Sequence, residues 1–196
     1  MKFIFTIQFI AWCLLPAAAL SQQPPNVVHF KELQKFLPVT APDGFTRTKP
    51  KGQTISNSDI TSSVTSVDFT AQKDEKRLQT MEDDTQDSVE VEVHYRVIVE
   101  IADYAGMGEA MTATLQMITG TQFQNETEEG YEKFVTFNGY KGIEKSHEDP
   151  YSKHCSLQLV IGDRFIVTAT GKGMTDIPML QSLLNSMDLK KLQDMK

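Results

Sequence analysis

The sequence predicts an α+β fold, a mainly antiparallel sheet flanked by helices in a single domain. Three observations predict it: one central stretch alternates between apolar and polar residues, two pairs of apolar segments are joined by tight-turn sequences, and the helical patterns stand outside the run of strands. Strand-helix-strand alternation would indicate a parallel sheet. Consecutive hairpins indicate an antiparallel one.

The central stretch, residues 88–104, carries the clearest structural signal. Its odd positions are apolar or aromatic, namely Val89, Val91, Val93, Tyr95, Val97, Val99 and Ile101. Because successive side chains leave a strand on opposite sides, this period of two predicts a strand with one buried face. The even positions, which include His94 and Arg96, are expected on a solvated face.

The other elements are predicted from shorter patterns. Residues 64–71 are expected to pair with the central strand through a polar loop at 72–87, and two hairpins are predicted around Asn138-Gly139 and Gly162-Asp163. The predicted helices cover residues 26–38, 106–119 and 175–188, with a further short turn from Asp188. Acidic residues in the polar loop match no calcium-loop spacing, so a solvated loop is the favoured interpretation.

The first residues are typical of an export signal. Lys2 precedes an apolar run at 3–15, and small residues come after Pro16, so cleavage is expected after Ser21, with Ala19 as the alternative. The run is shorter than the about 20 residues that cross a bilayer. The predicted organisation is a signal peptide at 1–21, a polar leader at 22–25 and one α+β domain at 26–196.

Charge and cysteine content restrict the function classes. The chain has a net charge of -7, and without the signal peptide it would keep 18 basic and 26 acidic residues. This balance argues against a nucleic-acid partner, which requires clustered cations. Removal of Cys13 would leave Cys155 alone, without an intramolecular disulfide. A small buried hydrophobe is the favoured interpretation of Cys155, and a reactive thiol is the alternative.

The densest group of potential metal ligands lies between the two hairpins. It consists of His147, Glu148, Asp149 and His154. Imidazole and carboxylate groups suit a borderline metal such as zinc if the loop folds back on itself. The alternative is a charged connection, in which Asp-Pro is ordinary turn chemistry.

A second candidate site is acidic. Glu126, Glu128, Glu129 and Tyr131 precede the first predicted hairpin. Carboxylates that act as general acid and base need a cleft that separates their pKa values, and the sequence offers no evidence of one. The alternatives are a solvated acidic rim and a binding surface for a basic partner.

Several segments together resemble a family of uncharacterised secreted bacterial proteins. They are FKELQKFLP at 30–38, NETEEGYEK at 125–133, GYKGIEK at 139–145, IGDRFIVTATG at 161–171 and MDLKKL at 187–192. The order of elements is also similar to the fold of the photosystem accessory protein PsbP and the Ran-binding protein Mog1. The resemblance implies an exported protein with an antiparallel sheet and helices, and it implies no site residues.

The sequence therefore predicts an exported, non-enzymatic binding or accessory protein of the cell envelope, periplasmic or secreted. Its partner would be an envelope protein or a small ligand; no cofactor, nucleic acid or stable membrane span is expected. The alternative is a metal-dependent hydrolase or metal-binding protein that uses the 147–154 loop. A concave pocket at His147, His154 or Glu128 would favour chemistry, and a convex surface would favour binding. The oligomeric state stays open, because an edge strand could pair with another copy.

Overall fold

A computed structural model of the chain describes residues 27–56, 61–80, 86–106, 120, 123–149, 152–162 and 164–195. Within it, residues 74–80, 86–91 and 106 are described by their backbone alone. This part of the chain is dominated by one sheet of nine strands, all paired antiparallel. The antiparallel sheet is confirmed.

The strands run in a simple order across the sheet. In chain order they are β1 Thr46–Arg47, β2 Lys51–Ser56, β3 Thr61–Thr80, β4 Gln86–Gly106, β5 Gln124–Thr127, β6 Gly130–Phe137, β7 Tyr140–Glu148, β8 Lys153–Ile161 and β9 Phe165–Lys172. Across the sheet the order is β1-β3-β4-β9-β8-β7-β6-β5, and β2 also pairs with β3. Strand β4 therefore joins the long hairpin β3–β4 to the meander β5–β9.

The central strand is confirmed in β4. Val97, Val99 and Ile101 have no exposed surface, Val93 is buried and Tyr95 is half-buried. On the even positions His94 is exposed and Arg96 is half-exposed, as expected of a solvated face. The side chains of Val89 and Val91 lie outside the described residues.

The polar loop predicted at 72–87 is wrong. Strand β3 continues to Thr80 and β4 begins at Gln86, and the two pair in register from Gln72 opposite His94 to Thr80 opposite Gln86. Strand β9 pairs with β4 only between Arg96 and Asp103, so among the described strands none pairs with β3 or β4 between residues 72–80 and 86–94 except these two with each other. These polar residues form strands because hydrogen bonds to the facing strand satisfy their backbone amide and carbonyl groups. This pairing does not require an apolar pattern, so the sequence did not indicate it.

Three other strand predictions need correction. Strands β2 and β5 were not predicted from the sequence. The presumed 147–154 loop is mostly strand, because β7 runs to Glu148 and β8 starts at Lys153. The tight turn at Asn138-Gly139 is confirmed, with φ of 53° and 84°. Both residues need positive φ, and Asn and Gly tolerate it best.

The helices are short and lie on one side of the sheet. Helix α1 covers only Phe30–Leu33 and is followed by a 3₁₀ turn at Gln34–Phe36, so the helix predicted over 26–38 is too long. Pro38 ends the 3₁₀ turn, since a residue before proline avoids helical dihedrals and Leu37 is extended. The cap of α1 is His29, whose Nδ1 accepts from the Lys31 amide at 3.3 Å.

The C-terminal helices are confirmed. Helix α2 spans Ile177–Asn185 and α3 spans Leu189–Gln193. Asp176 and Asp188 cap them by accepting main-chain amides, each at 3.0 Å. Among the described residues, no helix has the length and apolar composition that crossing a bilayer requires.

The sheet consequently has two unlike faces. The helix face packs Leu157, Leu159 and Ile161 of β8 against Leu180 and the other apolar residues of the three helices. The reverse face carries a small apolar cluster of Ile143, Val160 and Ile166, with Tyr104 and Phe134 packed against it. The described architecture is therefore mainly β, and the prediction of an α+β sheet clearly flanked by helices is wrong. The helix predicted over 106–119 lies outside the described residues, except for Gly106, which ends β4.

A buried ion pair fastens the N-terminal segment to the sheet. Asp103 has no exposed surface, and Arg164 donates to both of its oxygens, at 2.9 and 2.7 Å. The main-chain amides of Val28 and Ala105 also donate to this carboxylate, at 2.7 and 3.0 Å. The strand continues through Asp103 to Gly106, and the carboxylate faces the helices.

Candidate functional site

The two histidines of the predicted metal site lie side by side. His147 of β7 and His154 of β8 are directly opposite each other in the strand register, and their ring centroids are 4.9 Å apart. Both project from the reverse face, because the neighbouring Cys155 is fully buried among the residues of the helix face. The sheet therefore brings together two imidazoles that are seven positions apart in sequence.

The carboxylates of the same group separate. Asp149 Oδ2 lies 2.8 Å from His147 Nε2, and Asp149 Oδ1 accepts from the Ser152 amide at 2.7 Å. Glu148 points to the other face, where its Oε1 is 2.6 Å from Lys153 Nζ. Three of the four predicted metal residues are thus neighbours. Across the described ranges, however, no three His, Cys, Asp or Glu side chains are arranged to hold a metal ion.

The histidine pair lacks the geometry of an activated nucleophile. Ser152 Oγ is 3.5 Å from His154 Nδ1, whereas the carboxylate of Asp149 contacts the other imidazole, His147. A serine-histidine-aspartate relay needs one imidazole that contacts both the hydroxyl and the carboxylate. These four groups are therefore not such a relay.

A shallow hollow adjoins the pair. It encloses about 220 Å³ and is lined by Asn125, Thr127, Gly130, Tyr131, Glu132, Lys145, Ser146, His147 and His154. Beside the hollow, Gly130 lets two strands approach closely, because a Cβ at this position would lie 2.0 Å from the Ser146 carbonyl oxygen. Strands β6 and β7 could not approach as closely with any other residue there.

The predicted acidic site lies at a second hollow, on the side of the helices. Glu126, Glu128 and Glu129 are all exposed and line about 510 Å³ together with Tyr131, Glu148 and the start of helix α2. Within the described part of the chain, no lysine or arginine forms an ion pair with these three glutamates. We call this surface, Glu126, Glu128, Glu129 and Glu148, the acidic hollow.

Tyr131 belongs to a polar cluster that the sequence did not reveal. Its hydroxyl donates to Glu144 Oε1 at 2.8 Å, and Lys133 Nζ lies 3.0 Å from the same oxygen. Burial, and then the hydrogen bond to Glu144, raise the pKa of Tyr131 to about 12. A phenol held neutral in this way donates a hydrogen bond and does not act as a base near neutral pH. The alternation of side chains along β7 could have indicated that Glu144 is buried, because Glu144 lies on the same face as Leu157, directly opposite it.

Cys155 is a structural residue. Its side chain has no exposed surface, which confirms the interpretation as a small buried hydrophobe. Burial raises the pKa of the thiol to about 11, although a backbone hydrogen bond from Gly171 opposes the shift. A thiol with this pKa is almost entirely neutral at pH 7 and is a poor nucleophile.

Both sets of candidate residues line concave hollows and not convex surfaces. A concave shape favours chemistry, but the side chains that line these two hollows include no nucleophile paired with a base. Comparisons with known proteins add no assignment: no protein-family model, curated protein or solved structure matches the chain.

Proposed function

We propose that the protein is exported and works as a non-enzymatic binding or accessory protein of the cell envelope, periplasmic or secreted. The observation that carries the proposal is the acidic hollow, where Glu126, Glu128 and Glu129 are exposed around one concavity without a cationic partner in the described ranges. Carboxylates left in this state suit a partner that presents basic groups, because complementary charges favour encounter and orientation.

Two features of the sequence support export. The first 21 residues have the charge and apolar pattern of a signal peptide. The segments quoted above resemble secreted bacterial proteins, and a likeness to the PsbP and Mog1 fold forms part of the same proposal. Fractionation of producing cells and intact mass of the recovered protein test it. A chain that begins at Gln22 or Leu20 outside the cytoplasm is expected, whereas an intact Met1 in the cytoplasm contradicts export.

The binding surface is tested by capture from the native envelope with the mature protein as bait. The triple variant E126Q/E128Q/E129Q should lose the captured partner and keep its thermal unfolding midpoint, since all three side chains are exposed. A matched control, D43N/E92Q/D194N, removes the same charge from exposed positions elsewhere. Equal capture by both variants would show that the hollow is not the binding surface.

A second candidate function is metal binding, or metal-dependent hydrolysis, at the histidine pair. The specific observation is that His147, His154 and Asp149 are neighbours on one face. Imidazole nitrogens and one carboxylate oxygen are ligands that zinc accepts. Titration calorimetry with zinc should show binding that H147A and H154A each abolish and that the control H94A retains. No heat at micromolar zinc would eliminate this candidate.

A further inference from the structure

The strand register places four basic side chains in one line across the reverse face. Arg96 of β4 is opposite Lys172 of β9, Lys172 is opposite His154 of β8, and His154 is opposite His147 of β7. Neighbouring strands lie about 4.8 Å apart, so the line is roughly 14 Å long. We call these four residues the basic row.

The two middle members of the row are the most available. Arg96 pairs with Asp68, and His147 pairs with Asp149. Lys172 and His154 are exposed, and neither forms an ion pair with a carboxylate in the described part of the molecule. Lys172 therefore has a basic residue directly opposite it on both neighbouring strands.

This arrangement is unfavourable for the isolated fold. Like charges directly opposite each other on adjacent strands destabilise a sheet. The chain as a whole is acidic, with a net charge of -7, so two permanent cations directly opposite each other, Arg96 and Lys172, are not a consequence of its average composition. An anionic ligand laid across the strands would offset the repulsion between Arg96 and Lys172 and would accept charge-assisted hydrogen bonds from them, and further hydrogen bonds from the imidazoles.

We propose that the basic row is a binding site for a linear oligo-anion that carries phosphate or sulfate groups. Lys172 and His154 provide the central contacts, and Arg96 and His147 provide the outer ones. The linear spacing favours a chain of anionic groups over a single ion, because one small oxyanion spans only neighbouring members of the row. The site lies on the face away from helices α2 and α3 and does not depend on the acidic hollow.

The neighbouring hollow is consistent with this ligand. Asn125 and Lys145 contribute hydrogen-bond donors to its wall, next to His147 and His154, whereas the Thr127 hydroxyl donates to the Gly130 carbonyl oxygen at 3.3 Å. Lys145 is partly neutralised by Glu132, whose Oε1 lies 2.7 Å from its Nζ. The hollow would therefore accept the end of an oligo-anion through Asn125 and Lys145, while the charge of Lys172, unpaired among the described residues, supplies the main attraction.

Short-chain polyphosphate and free inorganic phosphate are suitable probes, compared at equal phosphate concentration by titration calorimetry at low and high salt. Polyphosphate should bind more tightly than phosphate, and added salt should weaken the binding. The variants K172Q and H154Q should each weaken binding about tenfold, and K172E should abolish it. The control K190Q replaces an exposed lysine of helix α3, on the other side of the sheet, and should leave binding unchanged.

Thermal unfolding separates loss of the site from loss of the fold. Because Lys172 lies opposite the like-charged Arg96, K172Q should unfold at the same temperature as the wild type or higher in the absence of ligand. Polyphosphate should raise the unfolding temperature of the wild type and leave that of K172E unchanged. The proposal is overturned if polyphosphate does not bind the wild type, if K172E and K190E bind it equally, or if free phosphate binds as tightly as the chain.

Discussion

The two faces of the sheet are formed by the same strands but carry side chains of opposite charge. On β7 and β8, the helix side carries the buried Leu157 and leads to the acidic hollow, whereas the reverse side carries His147 and His154 in the basic row. His147 and Glu148 are adjacent in sequence, yet one belongs to the basic row and the other to the acidic hollow. The comparison teaches that, in this sheet, alternation along a strand decides which surface a side chain serves, and nearness in sequence does not.

Two buried aspartates give the largest expected contrast between the faces. Asp103, on the helix face, is bound by Arg164 and two main-chain amides, whereas Asp68 on the reverse face has a buried Oδ1 without a hydrogen-bond partner in the described chain. D103A should lower the free energy of unfolding by about 3–5 kcal/mol, because it leaves a largely buried arginine without its carboxylate. D68A should cost roughly 1 kcal/mol or less, since Arg96 is partly exposed. Urea unfolding measures both, and equal losses would contradict the contrast.

Apolar residues on one strand provide the next test. Leu157 and Val160 belong to β8 but pack on opposite faces, the first in the main core and the second in the small cluster with Ile143 and Ile166. L157A should cost about 2–5 kcal/mol of unfolding free energy. V160A should cost about 1–2 kcal/mol, because fewer apolar groups leave a smaller buried surface. A larger loss for V160A in the same urea titration would show that the reverse face contributes more to stability than we infer.

Tyr131 and Cys155 make the helix side sensitive to alkali. Their pKa values are raised to about 12 and about 11, so in the folded protein both groups stay neutral where the unfolded chain would ionise. A raised pKa gives a stabilisation that is complete below the unfolded value and is lost as pH rises towards the folded value. Stability should therefore fall between about pH 9 and pH 12.

Substitution of Tyr131 isolates its contribution to the loss of stability at high pH. Y131F should lower the neutral-pH free energy of unfolding by about 1 kcal/mol, through loss of the hydrogen bond to Glu144, and should flatten the alkaline decline. Tyr104, on the reverse face, also has a raised pKa, through burial and then the charge of Glu100, so Y104F should flatten the decline as well. Urea unfolding at a series of pH values measures the slopes. A Y131F slope as steep as that of the wild type would contradict the assignment.

The smallest expected effect is a gain. K172Q removes a cation that faces basic residues on both sides, so the free energy of unfolding should rise by about 0.2–1 kcal/mol without ligand. K190Q should change it less. Low-salt urea titrations measure the difference, and high salt should reduce it. A loss of stability in K172Q would mean that Lys172 has a favourable role in the fold and would weaken the case for a functional row.

The sequence predicted those features that depend on local pattern. The period of two in β4, the turn at Asn138-Gly139 and the C-terminal helices are each determined within a few residues, and all are confirmed. The polar ends of β3, β7 and β8 were interpreted as loops, because their strand structure comes from pairing with a neighbour. Backbone hydrogen bonds between strands do not require apolar side chains, so a polar strand cannot be recognised from an apolar pattern.

The candidate sites were predicted less completely for the same reason. His147 and His154 were recognised as a pair, but placing Glu148 with them required a loop that the structure replaces with two strands. The basic row was not predicted, since its members come from four strands between residues 96 and 172 and meet only through register. Glu144 was missed because an acidic residue in an alternating strand is usually solvated, and here Lys133 and Tyr131 satisfy it.

The most direct test of two separate binding surfaces is to change the charge of each surface in turn and to measure the binding of a polyanion and of a basic peptide. Polyphosphate and a short lysine-rich peptide are titrated separately into the wild type, K172E and E126Q/E128Q/E129Q. The account predicts that K172E loses the polyphosphate and keeps the peptide, while the glutamate variant keeps the polyphosphate and loses the peptide. Loss of both ligands in either variant, or of neither in both, would contradict two independent surfaces on opposite sides of one sheet.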